Sequence, residues 1–120
     1  MSDAAGQFER ERERLNEMVM KFGGLAMKRF WRLDEQIYQD GTLPGRVKEL
    51  LGLTASLVLR CDDCVKYHLI QCQRAGYEDA EIEEALAVGL IVGGSIVIPH
   101  LRRAVEFWAG MKGLSQDDKA

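Results

Sequence analysis

Apolar residues recur at intervals of three and four along most of the chain, and no segment shows a convincing alternation of apolar and polar residues. The first spacing is typical of amphipathic helices, whereas alternation would indicate a half-buried strand. The pattern therefore predicts an all-α protein, a single-domain bundle of about six helices. We expect helices over residues 8–22, 25–39, 44–60 and 62–75, another from about 79 to the break at 93–95, and a last one over 95–112.

Glycine and proline mark the ends of these helices. Gly23 and Gly24 separate the first helix from the second, and Pro44 opens the third because proline is tolerated at a first helical position. Gly76 ends the fourth helix and suits the left-handed conformation of a helix cap. Pro99 is expected to shift or kink the first turn of the last helix.

Several helices carry apolar side chains on one side. The first helix has Leu15, Met18, Val19 and Phe22 there. The second has an apolar face that we expect to pack in the core or against another subunit, and its residues are Met27, Phe30, Trp31, Ile37 and Tyr38. The third should be largely buried, with Val47, Leu50, Leu51, Leu53, Leu57, Val58 and Leu59. In the last helix, the residues that we expect to face the core are Leu101, Ala104, Val105, Trp108 and Met111. Gly89 and Gly93 predict close contact between helices.

Length and charge limit the class of protein. We expect one domain over 1–120, with N-terminal helices in 1–42, a core in 43–112 and a frayed tail in 113–120. A chain of 120 residues with 47% hydrophobic content would gain from oligomerisation, which buries more apolar surface. The net charge is −3, and no basic stripe with interleaved aromatic residues is present, which argues against nucleic acid as a partner.

The most apolar segment, Ala85 to Pro99, is uncharged but shorter than the roughly 20 residues that a membrane span requires. It therefore predicts two helix ends rather than a membrane anchor. The N-terminus is polar and charged and lacks the apolar core of a signal peptide, so we expect a reducing cytoplasm. Three cysteines in that compartment would not be structural bridges.

The segment from Cys61 to His68 reads Cys-Asp-Asp-Cys-Val-Lys-Tyr-His. In a helix starting near Cys61, Cys64 and His68 share a face one turn apart, so the imidazole can hold or take the thiol proton. Cys61 would lie at the helix start, where unpaired N–H groups favour a thiolate, and the spacing lets the two sulfurs bond. Asp62 and Asp63 oppose thiolate formation. The motif predicts a redox-active pair.

Other interpretations stay open. The cysteines can be inert residues beside a surface histidine, or zinc ligands together with His68 and a carboxylate, although structural zinc sites usually have a second Cys/His pair. Covalent haem is excluded because Val65 stands where that motif requires histidine. Cys72 shares a face with Cys64 but lies about 12 Å along the helix, so we interpret it as a core residue. His100 is interpreted as a polar packing residue.

Two further sets of charged residues need an interpretation. Glu49 lies on the third helix among apolar neighbours, where a carboxylate is costly without a partner. It is either functional or directed to solvent beside Arg46 and Lys48. The charged run from Glu9 to Arg14 is interpreted as a solvated helix face.

Together these residues resemble a known family. Glu49, Cys61-x-x-Cys64-x-x-x-His68, the Gly76 turn, the acidic 78–84 stretch and the apolar 85–94 stretch resemble the carboxymuconolactone decarboxylase superfamily, more narrowly its alkylhydroperoxidase D branch. The resemblance covers about residues 43–108. It implies an all-helical fold, a homotrimer or a homohexamer built from trimers, no metal and no bound cofactor. It also implies that the cysteine pair reduces hydroperoxides or disulfides.

The resemblance assigns a role to each residue of the motif. Cys64 would be the activated thiol, His68 its proton-transfer partner, Glu49 the group that orients or relays through His68, and Cys61 the resolving thiol. An external dithiol, such as a lipoyl group or a thioredoxin-like protein, would reduce the oxidised pair. The name-giving decarboxylases generally lack this pair, which argues against lactone decarboxylation. The alternatives are a decarboxylase-like enzyme acting on a small organic substrate, a Cys/His metal-binding module and a non-catalytic oligomeric module.

Overall fold

The computed structural model describes residues 3–111, and the regular structure in this range is entirely helical. The all-α prediction and its six helices are confirmed. The elements are α1 (Ala4–Phe22), α2 (Leu25–Ile37), α3 (Gly45–Val58), α4 (Asp62–Arg74), α5 (Asp79–Gly93), a short 3-10 helix (Ser95–Val97) and α6 (Ile98–Met111). The predicted frayed tail, 113–120, lies outside the described residues.

Most helix boundaries follow the signals in the sequence. Gly23 follows α1, and Gly76 adopts the expected left-handed conformation after α4, with a φ of 90°. The first helix begins at Ala4 rather than residue 8, so the charged run lies in its interior rather than near its start. The last helix begins at Ile98, after the 3-10 helix. Pro99 therefore lies in the first turn of α6. A backbone N–H in this turn has no partner within the helix, so proline costs no hydrogen bond there.

The core forms where α3, α4 and α5 pack together and α6 closes one side. Its fully buried side chains include Leu53 and Leu57 from α3 and Leu69 from α4. The predicted close helix contact is confirmed at Gly89 of α5, because a Cβ there would lie 2.9 Å from Cδ2 of Leu57. Close approach also lets the hydroxyl of Thr54 donate to the carbonyl oxygen of Ala85, at 3.0 Å. These two contacts hold α3 and α5 close together.

Some predicted burial is wrong for the isolated chain. Leu51 of α3 is 56% exposed and Leu59, which directly follows α3, is 76% exposed, so this helix is buried along one side only. In α6, Val105 is exposed and Phe107, which the pattern did not single out, is buried instead. Neither α1 nor α2 contains a fully buried residue, and the exposed apolar side chains on these two helices are Leu15, Met18, Phe22, Leu25, Met27, Phe30, Leu33 and Ile37. Core packing is therefore wrong for α2, and subunit packing remains the interpretation of its apolar face.

Among the described helices, none combines the length and the apolarity needed to cross a lipid bilayer.

Candidate active site

The cysteine motif lies at the start of α4, as its sequence predicts. Arg60 adopts a left-handed conformation, with a φ of 60°, and turns the chain after α3. Cys61 then serves as the N-cap of α4, because its Sγ accepts a hydrogen bond from the backbone N–H of Cys64 at 3.3 Å. Cys61 is partly exposed and Cys64 is exposed, and both are free thiols. Two reduced sulfurs therefore lie within the first turn of one helix.

Glu49 points towards His68 and not towards solvent. Nδ1 of His68 donates to Oε1 of Glu49 at 2.8 Å, and the two side chains are only 9% and 14% exposed. A neutral imidazole that donates from Nδ1 has an unprotonated Nε2, which is free to accept a proton. The pair therefore has the arrangement of an oriented general base, built from α3 and α4 together.

Tyr38 lies on the other side of the imidazole. It follows the last residue of α2, and its hydroxyl lies 3.4 Å from Nε2 of His68. The two rings are tilted by 39° with centroids 5.4 Å apart. The sequence pattern assigned Tyr38 to an apolar packing face, so this site residue was missed. The only feature of the sequence that could indicate a role in the site is the residue type, because tyrosine carries a polar hydroxyl group on an apolar ring.

Gly52 of α3 makes room for this arrangement. A Cβ at Gly52 would lie 2.6 Å from Cε1 and 2.7 Å from Nε2 of His68, and 2.8 Å from the Tyr38 hydroxyl oxygen. These distances are shorter than any ordinary contact, so a larger residue would displace one of the two rings. The absence of a side chain at Gly52 therefore permits the meeting of His68 and Tyr38.

A cavity of about 480 Å³ lies next to these groups, between α1, α2 and α4. Cys64, His68 and Tyr38 all line it, so the exposed thiol and the histidine face a shared space. Arg12 of α1 also lines the cavity, and its guanidinium lies 4.1 Å from the centre of the Tyr67 ring. Arg12 is exposed, as the interpretation of the charged run as a solvated face predicts, but its guanidinium also contacts Tyr67 beside the cavity.

The surroundings of Cys64 favour the neutral thiol. Partial burial beside the cavity raises the pKa of Cys64 to about 11; the neighbouring Cys61 thiol and the Asp63 carboxylate add to the rise, and Arg12 acts in the opposite direction. The predicted opposition of Asp63 to a thiolate is therefore confirmed. At neutral pH the thiol holds its proton, so its reactivity depends on a nearby base.

Asp62 has a different role from Asp63. It binds His100 and Arg103 of α6, with both distances 2.8 Å. Burial raises the pKa of Asp62, but the hydrogen bonds from His100 and Arg103 outweigh burial and hold that pKa below its usual value. His100 is thus a polar packing residue, as expected, and the cluster fixes the start of α4 against α6.

Cys72 belongs to the core, as predicted. Its side chain is fully buried, and burial raises its pKa to about 12. Within residues 3–111, no three histidine, cysteine, aspartate or glutamate side chains converge in an arrangement that could hold a metal ion. The zinc alternative requires His68 as a ligand. Its Nδ1 already faces Glu49 and its Nε2 already faces Tyr38, which argues against that role.

Known proteins share this fold. Two crystal structures of a Thermotoga maritima protein are 51% and 50% identical to this chain, with TM-scores of 0.88 and 0.86, and they cover 92% and 95% of it and 97% of their own chains. One of them is described as a carboxymuconolactone decarboxylase family protein with a suggested involvement in the antioxidative response. A carboxymuconolactone decarboxylase family protein from Legionella pneumophila shares the fold at 20% identity, with a TM-score of 0.79 over 89% of this chain and 96% of that one.

Similarity in sequence extends to a further bacterial protein and to a family model. An uncharacterised protein of Cupriavidus necator is 32% identical over 101 residues, which is 79% of this chain and 89% of the relative. The model of the carboxymuconolactone decarboxylase family matches residues 24–107, well over half of the chain. The superfamily inferred from the motif is confirmed, and this chain belongs to the carboxymuconolactone decarboxylase family.

Proposed function

We propose that this protein is a thiol-dependent peroxidase and disulfide oxidoreductase of the alkylhydroperoxidase D type. The observation that carries the proposal is the buried Glu49–His68 pair, because His68 lines the same cavity as the exposed thiol of Cys64. A second thiol, that of Cys61, caps the same helix. The antioxidative role suggested for the Thermotoga maritima relative supports the same chemistry.

The first step uses Cys64 as nucleophile. Because its pKa is raised to about 11, the thiol must lose its proton as it reacts, and the His68 relay accepts that proton while Glu49 stabilises the imidazolium. The sulfur attacks one peroxide oxygen, an S–O bond forms and the O–O bond breaks. The proton held by the relay then passes to the leaving alkoxide. The products are an alcohol and a sulfenic acid on Cys64.

The second step uses Cys61 as the resolving thiol. Its sulfur attacks the sulfenic sulfur of Cys64, which forms a disulfide and releases water. The position of Cys61 supports this step, because its Sγ lies 3.3 Å from the backbone nitrogen of Cys64. An external dithiol, a lipoyl group or a thioredoxin-like protein, would then reduce the disulfide by thiol exchange and become oxidised itself. With a disulfide substrate, Cys64 would attack one of its sulfurs, form a mixed disulfide and release one thiol; Cys61 would then attack the sulfur of Cys64, form the Cys61–Cys64 disulfide and release the second thiol.

We also propose that the protein assembles as a homotrimer or as a homohexamer built from two trimers. The support is the apolar surface of α1 and α2, which includes Phe22 at 88% and Phe30 at 66% exposure in the isolated chain. Exposed apolar patches of this kind are typical of subunit interfaces.

The test of the activity is a count of free thiols, with intact mass, before and after one equivalent of an organic hydroperoxide. The wild type should lose the thiols of Cys61 and Cys64 and about 2 Da of mass, with the peroxide consumed. Cys64→Ser should leave the peroxide intact, and Cys61→Ser should stop at the sulfenic acid. Cys72→Ala is the matched control and should behave like the wild type. Persistence of every thiol in the wild type, with peroxide unconsumed, contradicts peroxidase activity.

A further inference from the structure

A group beside Nε2 of His68 takes no part in the proposed relay. Nδ1 of His68 is occupied by Glu49, and Nε2, the nitrogen left to exchange protons, faces the hydroxyl of Tyr38 at 3.4 Å. His68 itself is buried, with 7% of its surface exposed. Tyr38 is half-buried and lines the cavity that Cys64 also lines. The phenol is thus the hydrogen-bond partner of Nε2 and a part of the cavity wall.

We propose that Tyr38 is a catalytic residue that carries the proton between Nε2 of His68 and the reacting sulfur and oxygen atoms. This inference rests on the proposed function and adds a residue to it. As the sulfur attacks, the thiol proton of Cys64 moves to the phenolic oxygen while the phenolic proton moves to Nε2. When the O–O bond breaks, Tyr38 gives its proton to the leaving alkoxide and regains one from the imidazolium of His68. The thiol proton thus ends on the alcohol, and Tyr38 and His68 return to their starting states.

The groups around Tyr38 keep it in the form that can donate. Burial raises its pKa, and the negative charges of Glu49 on α3 and Asp34 on α2 raise it further, as do Tyr67 and Cys64 on α4. The phenol therefore stays protonated at neutral pH and can act as an acid.

Gly52 gives a second, independent observation. A Cβ there would lie 2.8 Å from the Tyr38 hydroxyl oxygen and 2.7 Å from Nε2 of His68, so the sequence has a glycine where the two groups meet. The other tyrosine of the cavity, Tyr67, contacts His68 differently. Its ring lies edge to face with the imidazole, with centroids 5.2 Å apart and planes at 73°, and Arg12 covers it. The proton-transfer geometry is that of Tyr38.

The experiment compares two reagents for the thiol of Cys64, in the Cys61→Ser background and at neutral pH. An organic hydroperoxide needs a proton on its leaving oxygen, whereas iodoacetamide releases iodide, which needs none. We expect Tyr38→Phe to lower the rate with hydroperoxide about 100-fold and the rate with iodoacetamide by at most about tenfold. The matched control is Tyr77→Phe, which removes a phenol that donates to the carbonyl oxygen of Arg46 at 3.0 Å, away from the cavity. It should change neither rate.

The outcomes separate the two proposals. Equal hydroperoxide rates in wild type and Tyr38→Phe overturn the role of Tyr38. An equal loss with both reagents overturns its role as the donor of a proton to the leaving alkoxide, because only the hydroperoxide reaction needs that proton. Gly52→Ala gives a second route to the same answer, since it pushes apart the rings of Tyr38 and His68 without removing a polar group. It should also slow the hydroperoxide reaction more than the iodoacetamide reaction. A wild type that consumes no hydroperoxide refutes the peroxidase itself and Tyr38 with it.

Discussion

The carboxylate of Glu49 lies 2.8 Å from Nδ1 of His68, although 19 residues separate the two along the chain. Both side chains are nearly buried, in a place where an unpartnered carboxylate would be costly. Neighbouring apolar residues on α3 and α4 hold the two helices together, so the pair is preorganised before any substrate binds. The hydrogen bond to Glu49 also leaves Nε2 as the nitrogen that exchanges protons.

Glu49→Gln should slow oxidation of Cys64 by an organic hydroperoxide roughly 100-fold, because the amide can still bond to Nδ1 but cannot stabilise an imidazolium. Stopped-flow kinetics at neutral pH would measure the rate, and thermal unfolding would confirm that the fold is retained. Glu83→Gln, on the exposed side of α5, is the control and should react like the wild type. An unchanged rate in Glu49→Gln would remove the relay from the mechanism.

Gly52→Ala should destabilise the protein by about 1–3 kcal/mol, because the added methyl group overlaps His68 and Tyr38. In an isolated helix the same change would stabilise by about 1 kcal/mol, so the sign of the effect reports the tertiary contact. Urea unfolding would measure it. Gly41→Ala, in the loop before α3, is the control, because a Cβ there would meet only the flexible end of Lys48, at 3.5 Å. A more stable Gly52→Ala protein would show that the rings move apart at little cost.

Alkaline pH should weaken the fold through Cys72. Its pKa is about 12 in the folded chain and about 8.5 in an unfolded one, so between these values the unfolded chain releases the thiol proton and the folded chain keeps it. The unfolded state then binds fewer protons, and the free energy of unfolding falls as pH rises.

The size of this effect can be measured as the difference in the free energy of unfolding between the wild type and Cys72→Ala. The stability advantage of the wild type should shrink by about 2 kcal/mol between about pH 8 and pH 10, measured by urea unfolding at one protein concentration. Other groups titrate in both proteins and cancel in the difference. A constant difference across this range would mean that the folded thiol ionises normally.

Phe30→Ser should reduce the assembly to smaller species, because Phe30 lies on the apolar face of α2, which has no core to pack against within one chain. Light scattering coupled to size exclusion would give the mass, and circular dichroism should show unchanged helix content. Arg32→Ser, which alters an exposed charged residue of the same helix, is the control. Identical masses for wild type and Phe30→Ser would place the interface elsewhere.

Much of the candidate site could be predicted from local rules. Cys64 and His68 lie on one face of α4 because the helix repeats every 3.6 residues, and Cys61 caps the helix because it immediately precedes the first turn. Arg12 and Tyr38 could not be found in the same way. Arg12 belongs to a helix whose pattern indicated only a solvated face, and Tyr38 directly follows a helix whose pattern indicated only an apolar face. Each reaches the cavity because of how α1 and α2 approach α4.

The sequence by itself determined the all-α class, the six helices and the spacing of the cysteine motif, since these depend on residues within a few positions of one another. Tertiary structure alone decided that Glu49 turns to His68, that Tyr38 meets Nε2 and that Gly52 has to remain small. It also decided that Leu51 and Leu59 stay exposed in a single chain. The physical reason is that helical periodicity fixes which side chains share a face, whereas the packing of one helix against another fixes what that face touches.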